Sequence, residues 1–265
     1  ACLLLIAQRQ SSRRGEWFKA VWERAVAGLK NSKSKDEVVH GSLLAVGELL
    51  RRRHTENFMD QRFSRKSDSE EGVCDFVIKY KDSRDKLVRR TVNKLLSRIA
   101  AFNPNEFVKH YLHVTLTHLI NAMKKDSDRA TAFIAVGSIV KCIRGHIKAE
   151  AAKFRPQLHS IVALAREALS ARRKSRPFCA EALQCVAELA GALGAGLMKD
   201  FFHEGLLDDM FNAGLHDRKL VDALTQVAEA IPALLIPIQE RLLREISIIL
   251  VGVPYVPPGA HDVFS

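Results

Sequence analysis

Strand signals are nearly missing from this chain. It shows almost no two-residue alternation of apolar and polar side chains and no Asn-Gly or Asp-Gly hairpin dipeptide, and several of its eight prolines fall at the edges of helical pattern. Sheet architectures are thereby disfavoured and an all-α chain is expected. Cysteine is sparse and unpaired: Cys2, Cys74, Cys142, Cys179 and Cys185 form no Cys-x-x-Cys pair and sit among apolar neighbours. That pattern argues against a disulfide framework and a zinc site, and suits small buried hydrophobes in a reducing compartment. No apolar run approaches the ~18 residues that cross a bilayer. The opening Ala1 to Ala7 has no starting Met, no basic lead-in and no obvious cleavage site. It is therefore read as the tail of a helix in a larger protein.

Catalytic signatures are missing too. There is no Gly-x-Ser-x-Gly elbow, His-Glu-x-x-His, Gly-x-Gly-x-x-Gly, His-Arg-Asp or Asp-Phe-Gly. The glycines Gly191, Gly194 and Gly196 lack the Lys-Ser/Thr and preceding strand of a phosphate loop, so a helix C-cap is expected there. His110, His113 and His118 share one helical stretch without the i, i+4 spacing of a helical metal site, and no metal or other cofactor is implied.

What is present is helical period. From Asp82 to Asn103, polar and acidic residues open the segment and Leu87, Val88, Val92, Leu95, Leu96 and Ile99 recur at three- and four-residue steps. Similar segments carry a large apolar residue followed by a small one at Val46-Gly47, Leu96-Ser97, Val136-Gly137, Val186-Ala187 and Val227-Ala228. These pairs lie 50, 40, 50 and 41 residues apart, close to the ~40–47-residue period of HEAT and armadillo units. The expected fold is an all-α, right-handed α-solenoid of HEAT-type antiparallel helix pairs. Its small residues would allow neighbouring backbones to approach closely.

The expected organisation is HEAT-type helices over 1–53, a polar loop over 54–71 where a disordered insertion has been omitted, helix pairs over 72–252, and a Pro-rich linker over 253–265. Single helices are expected over Pro104 to Met123, Pro156 to Leu169 and Met198 to Ala213.

The formal net charge of +11 raises the question of nucleic acid. Lys and Arg are dispersed along most helices with Asp or Glu nearby, however, and no Arg–aromatic interleaving supplies bases with stacking partners. Specific nucleic-acid binding is not expected. Arg51, Arg52 and Arg53 complement the negative end of a helix dipole. The run Arg172, Arg173, Lys174 and Arg176 lies between helices and is the candidate contact for an acidic partner.

The stretch Val73-Cys74-Asp75-Phe76-Val77-Ile78-Lys79-Tyr80-Lys81-Asp82-Ser83, followed by Leu87, Leu95-Leu96, Arg98 and Ala100-Ala101-Phe102, resembles the N-terminal HEAT region of the target of rapamycin (TOR) kinases. Further patches agree in order: His40-Gly41-Ser42-Leu43-Leu44, Lys124-Lys125 before Arg129 to Phe133, and Leu234 to Leu250. The family carries a longer insertion where this chain has Glu56 to Glu70. The resemblance implies a large Ser/Thr protein kinase of the phosphatidylinositol-kinase-related group, active in nutrient and growth signalling and inhibited by rapamycin bound to an immunophilin. Its catalytic, ATP-binding and rapamycin-binding domains would lie downstream. This piece would be a non-catalytic arm contributing to dimeric assembly with a second TOR protomer and to contact with a raptor- or rictor-type regulatory subunit. A cytoplasmic location is implied, with the parent recruited to lysosomal or vacuolar membrane. Two other HEAT classes bear on the reading. An importin-β-like receptor uses acidic inner surfaces for basic cargo, which the basic balance here opposes; a nucleic-acid-binding HEAT protein would suit the charge.

Overall fold

The computed structural model describes residues 14–31, 33–51, 56–63, 71–147, 151–170, 178–212, 214–215 and 217–255. Among them every regular element is helical. The chain divides into two compact units, residues 1–158 and 159–265.

In the first unit α1 (Arg14–Lys30) pairs with α2 (Asp36–Arg51), α4 (Val73–Lys79) with α5 (Lys86–Phe102), and α7 (Leu112–Met123) with α8 (Arg129–Cys142). The short connections within each pair make its helices antiparallel. Helices α2, α5 and α8 also pack side by side, α2 on α5 and α5 on α8. Each inner helix thus buries one flank on its own partner and another on a neighbouring pair, which is what a stacked repeat requires. The second unit follows the same rule: α10 (Glu181–Leu193) packs on α11 (Ala195–Phe201) and on α13 (Arg218–Ala230), which in turn contacts α14 (Leu235–Val251). All five marked pairs fall on α2, α5, α8, α10 and α13, the helices that contact a neighbouring pair within their own unit. The helical-repeat class expected from the period is therefore the class observed.

Local chemistry sets the ends. Asp85 caps α5 by accepting from the Val88 amide at 2.8 Å, and Asn103 closes α5 while its side chain accepts from the Glu106 amide at 3.2 Å to open α6 (Pro104–His110). Cations brace the layers. Arg89 donates Nε to Asp128 Oδ2 at 2.9 Å and Nη1 to the carbonyls of Ser83 and Arg84, tying α5 and its approach to the start of α8. In the second unit Arg166, on α9 (Ala151–Leu169), donates to Asp209 Oδ2 at 2.7 Å, and Ser170 Oγ donates to the other carboxylate oxygen at 2.8 Å.

Several expectations need correction. Within 54–71, Glu56–Asp60 forms a helical turn, α3, and Met59 and Phe63 are buried. Phe63 stacks on Phe102 at 5.7 Å between ring centroids and meets Tyr111 edge-on at 6.5 Å; three apolar residues among polar ones suffice to anchor the segment. Residues 52–55 and 64–70, which include part of the 54–71 stretch expected to hold the omitted insertion, and the helix tail over 1–10 lie outside the described residues. The Pro104 to Met123 helix is broken at Tyr111 (φ −121°, ψ −19°), whose ring turns into that aromatic cluster. Helix α9 begins at Ala151, so Pro156 lies inside it instead of opening it. The Met198 to Ala213 helix is interrupted by a wide turn at Phe202–Leu206, beyond which α12 (Leu207–Phe211) resumes. Gly205 there has φ 107°, and a Cβ on it would meet Arg166 Nη2 at 3.1 Å, so the turn needs both glycine's left-handed backbone and its lack of a side chain.

Candidate protein-interaction surface

Where three helices pack side by side, each keeps one stripe in solvent. On α2 the stripe runs through Glu37, Gly41, Leu44, Glu48 and Arg51; on α5 through Leu87, Arg90, Lys94 and Arg98; on α8 through Ala130, Ile134, Ser138 and Lys141. These positions recur at three- and four-residue steps, opposite the buried Leu43, Val46, Leu95, Ile99, Val136 and Ile139. Leu44, Leu87 and Ile134 are 48%, 58% and 54% exposed, while Arg51, Arg98 and Lys141 lie toward the helix C-termini. Glu48 sits 3.7 Å from both Arg51 and Arg98, so the α2 and α5 stripes adjoin and their shared carboxylate is neutralised. Unit 1 as a whole holds 31 Lys and Arg against 17 Asp and Glu, whereas unit 2 holds 10 against 13. The positive charge is thus regional, concentrated in unit 1.

A second exposed surface lies in unit 2. Helix α14 buries Ile238 and leaves Ile236, Leu243, Ile249, Leu250 and Val251 in solvent. Between α13 and α14 an apolar cleft of ≈ 380 Å³ is lined by Val221, Leu224, Ala228, Leu235, Ile238 and Leu242. In a repeat stack such a face is the one that a further helix pair covers.

The three histidines of α6 and α7 are all engaged. His110 faces Glu106 at 3.6 Å, the ring of His113 bonds the side chain of Gln157, and His118 Nε2 bonds Asn93 Oδ1 at 3.0 Å. Burial holds the His118 pKa below its usual value. Among the described residues no group of three His, Cys, Asp or Glu side chains converges as a metal site would require. Gly194 forms the C-cap of α10. Of the small residues marked from sequence, Gly47, Gly137 and Ala187 are buried, while Ser97 and Ala228 are only partly so. The candidate run Arg172, Arg173, Lys174 and Arg176 lies outside the described residues, as do Arg52 and Arg53; Arg51 is described and exposed.

No protein-family model matches the chain. Among curated proteins it is 40% identical over 247 residues, 93% of its length, to "Serine/threonine-protein kinase TOR" of Oryza sativa subsp. japonica. It is 37% identical over 250 residues to the protein of the same description in Arabidopsis thaliana. To "Serine/threonine-protein kinase tor1" of Schizosaccharomyces pombe it is 32% identical over 253 residues. The chain belongs to the TOR family. It spans only 9–10% of the length of these relatives, so it corresponds to one segment of them. Over that segment this chain forms the packed helix pairs of its two units, and no described helix is long and apolar enough to cross a membrane.

Proposed function

We propose that this chain is a non-catalytic HEAT-type scaffold arm of a TOR-like Ser/Thr protein kinase, mediating complex assembly in nutrient and growth signalling. One observation carries the reading: an alignment over 93% of the chain occupies 9% of a named kinase, and what it matches is a stack of helix pairs held by packing. The arm contacts a raptor- or rictor-type regulatory subunit and supports pairing with a second TOR protomer. Phosphoryl transfer and rapamycin sensitivity belong to other parts of the parent. The parent is cytoplasmic and is recruited to lysosomal or vacuolar membrane. The arm's own role is geometric, since repeat stacks present extended surfaces whose shape is set by each pair's rotation on the next. The basic run at Arg172, Arg173, Lys174 and Arg176 contributes a contact to an acidic partner segment.

The test uses the full-length kinase purified with its regulatory subunit. Gly47→Leu forces a side chain into the α2–α5 contact and is expected to reduce recovery of the subunit several-fold while the kinase still phosphorylates a free peptide. Replacing the four cations at 172–176 by Gln should weaken subunit recovery more at low salt than at high salt, as screening of an exposed contact requires. Full recovery of the complex with a segment that limited proteolysis shows to be unfolded would refute the scaffold role.

A further inference from the structure

We propose that the stripe shared by α2, α5 and α8 docks an acidic amphipathic helix from another protein. The inference rests on the scaffold reading and adds to it the face used and the chemistry of what it takes. Three large aliphatic side chains, Leu44, Leu87 and Ile134, stand about half exposed on adjacent helices of one unit. Arg90 lies one turn beyond Leu87, and its Nε is buried without a hydrogen bond among the described residues. Lys94, the next residue along that stripe, makes no ion pair among them. Packed helices lie about 8–10 Å apart, so the three stripes together span about 16–20 Å, the length of about 11–13 residues of a partner helix rising about 1.5 Å per residue. Laid across the three helices, its apolar anchors at i, i+4, i+7 and i+11 would cover the aliphatic residues, and carboxylates along its flank would reach Arg90 and Lys94. Charge complementarity selects an acidic flank, given the 31 basic against 17 acidic residues of this unit. A nucleic acid fits less well. The stripe offers no aromatic ring for stacking a base, and a phosphate backbone would leave the three aliphatic side chains without apolar cover.

The probe is a fluorescein-labelled synthetic helix of Leu, Ala and Glu with its leucines on one face and glutamates beside them, titrated into the 265-residue chain. Controls are the same composition scrambled to disperse the leucines, a version with Gln for Glu, and a short DNA duplex. The amphipathic acidic helix should bind about 10-fold or more tighter than either peptide control, the scale that loss of a few anchors produces. Leu87→Ser with Ile134→Ser, and separately Lys94→Glu, should each weaken it by a similar factor. These residues are exposed, so the melting transition stays in place and reports that the variants fold. Equal affinity for the scrambled peptide, indifference to these substitutions, or duplex binding without peptide binding would overturn the proposal. The scaffold reading would survive any of these results, because it is judged by subunit recovery with the full-length kinase.

Discussion

Gly41 and Gly47 lie on the same helix, and the structure assigns opposite signs to the same substitution at the two. A Cβ at Gly41 would meet nothing within 4 Å, whereas at Gly47 it would lie 2.6 Å from Leu95 Cδ2 and 2.9 Å from Arg98 Nη1. Arg98 is exposed and can swing aside; Leu95 is 2% exposed and has nowhere to go. Alanine for glycine inside a helix gains about 0.5–1 kcal/mol from backbone entropy and propensity. Gly41→Ala should keep that gain. At Gly47 the overpacking cost of about 1–3 kcal/mol opposes it, leaving a net loss of up to about 2 kcal/mol. Both tryptophans, Trp17 and Trp22, are on α1 in the same unit, with Trp22 edge-on to Phe76 at 6.3 Å. Intrinsic fluorescence therefore follows unit 1 without interference from unit 2. At about 2–4 °C per kcal/mol, the two variants should melt on opposite sides of the parent, several degrees apart. If both alanines raise the midpoint equally, the close α2–α5 crossing is wrong. Leucine at buried Gly137 on α8 tests the same packing at the next inner helix and should lower the midpoint, by about 1–3 kcal/mol or more.

Arg89→Ala removes the partner of an Asp128 carboxylate that is 3% exposed, so the urea midpoint of unit 1 should fall by the equivalent of about 3 kcal/mol; a loss below about 0.5 kcal/mol would show that the brace is idle. His118 has a folded pKa below its unfolded value through burial, with Asp82 opposing and Lys81 and Lys125 assisting. Its unfolded form binds the proton more readily, so its contribution is complete above about pH 6.5 and is lost as pH falls toward the folded pKa. His118→Gln should flatten the pH dependence of melting between about pH 7.5 and 5, and an unchanged slope would count against the assignment. Burial, with the Glu181 carboxylate beside it, pushes the Cys179 thiol up to about 11, so roughly one molecule in a thousand is thiolate at pH 8; peptide mass mapping should find iodoacetamide labelling of Cys179 and buried Cys74 far slower than in the urea-unfolded chain. Ile249→Ser with Leu250→Ser changes side chains 68% and 76% exposed, so thermal stability should hold within about 0.5 kcal/mol, and a larger fall of the melting midpoint would show that these side chains are packed.

Helix existence and pairing were legible because both depend on apolar spacing alone. The recurrence of a large apolar residue before a small one located α2, α5, α8, α10 and α13, and those are the helices that meet a neighbouring pair within their own unit. The reason offered for it holds at only some of them. Gly47 meets Leu95 and Arg98 across the crossing, but Ser97 is half-exposed and donates its hydroxyl to the Lys94 carbonyl on its own helix. What repeats is the buried apolar member of each pair, which faces the core in every case.

Breaks were illegible for the complementary reason: they are imposed by partners distant in sequence. Nothing local distinguishes Tyr111 from its neighbours; its ring is drawn out of register by Phe63, which belongs to a stretch too polar to read as structured. Pro156 stands at the head of the apolar pattern running to Leu169, yet it lies inside α9, whose first residues are too polar and Ala-rich to show an apolar stripe. The interaction stripe shows the same limit. Leu44, Leu87 and Ile134 fit their helices' apolar patterns and give no sign in sequence of facing outward. Only the packing of α2 on α5 and α5 on α8 assigns each of them to solvent. An apolar period identifies which helices have a buried face; it does not count how many flanks of an inner helix its neighbours cover. In a stacked repeat that number determines which aliphatic residues remain available to another protein.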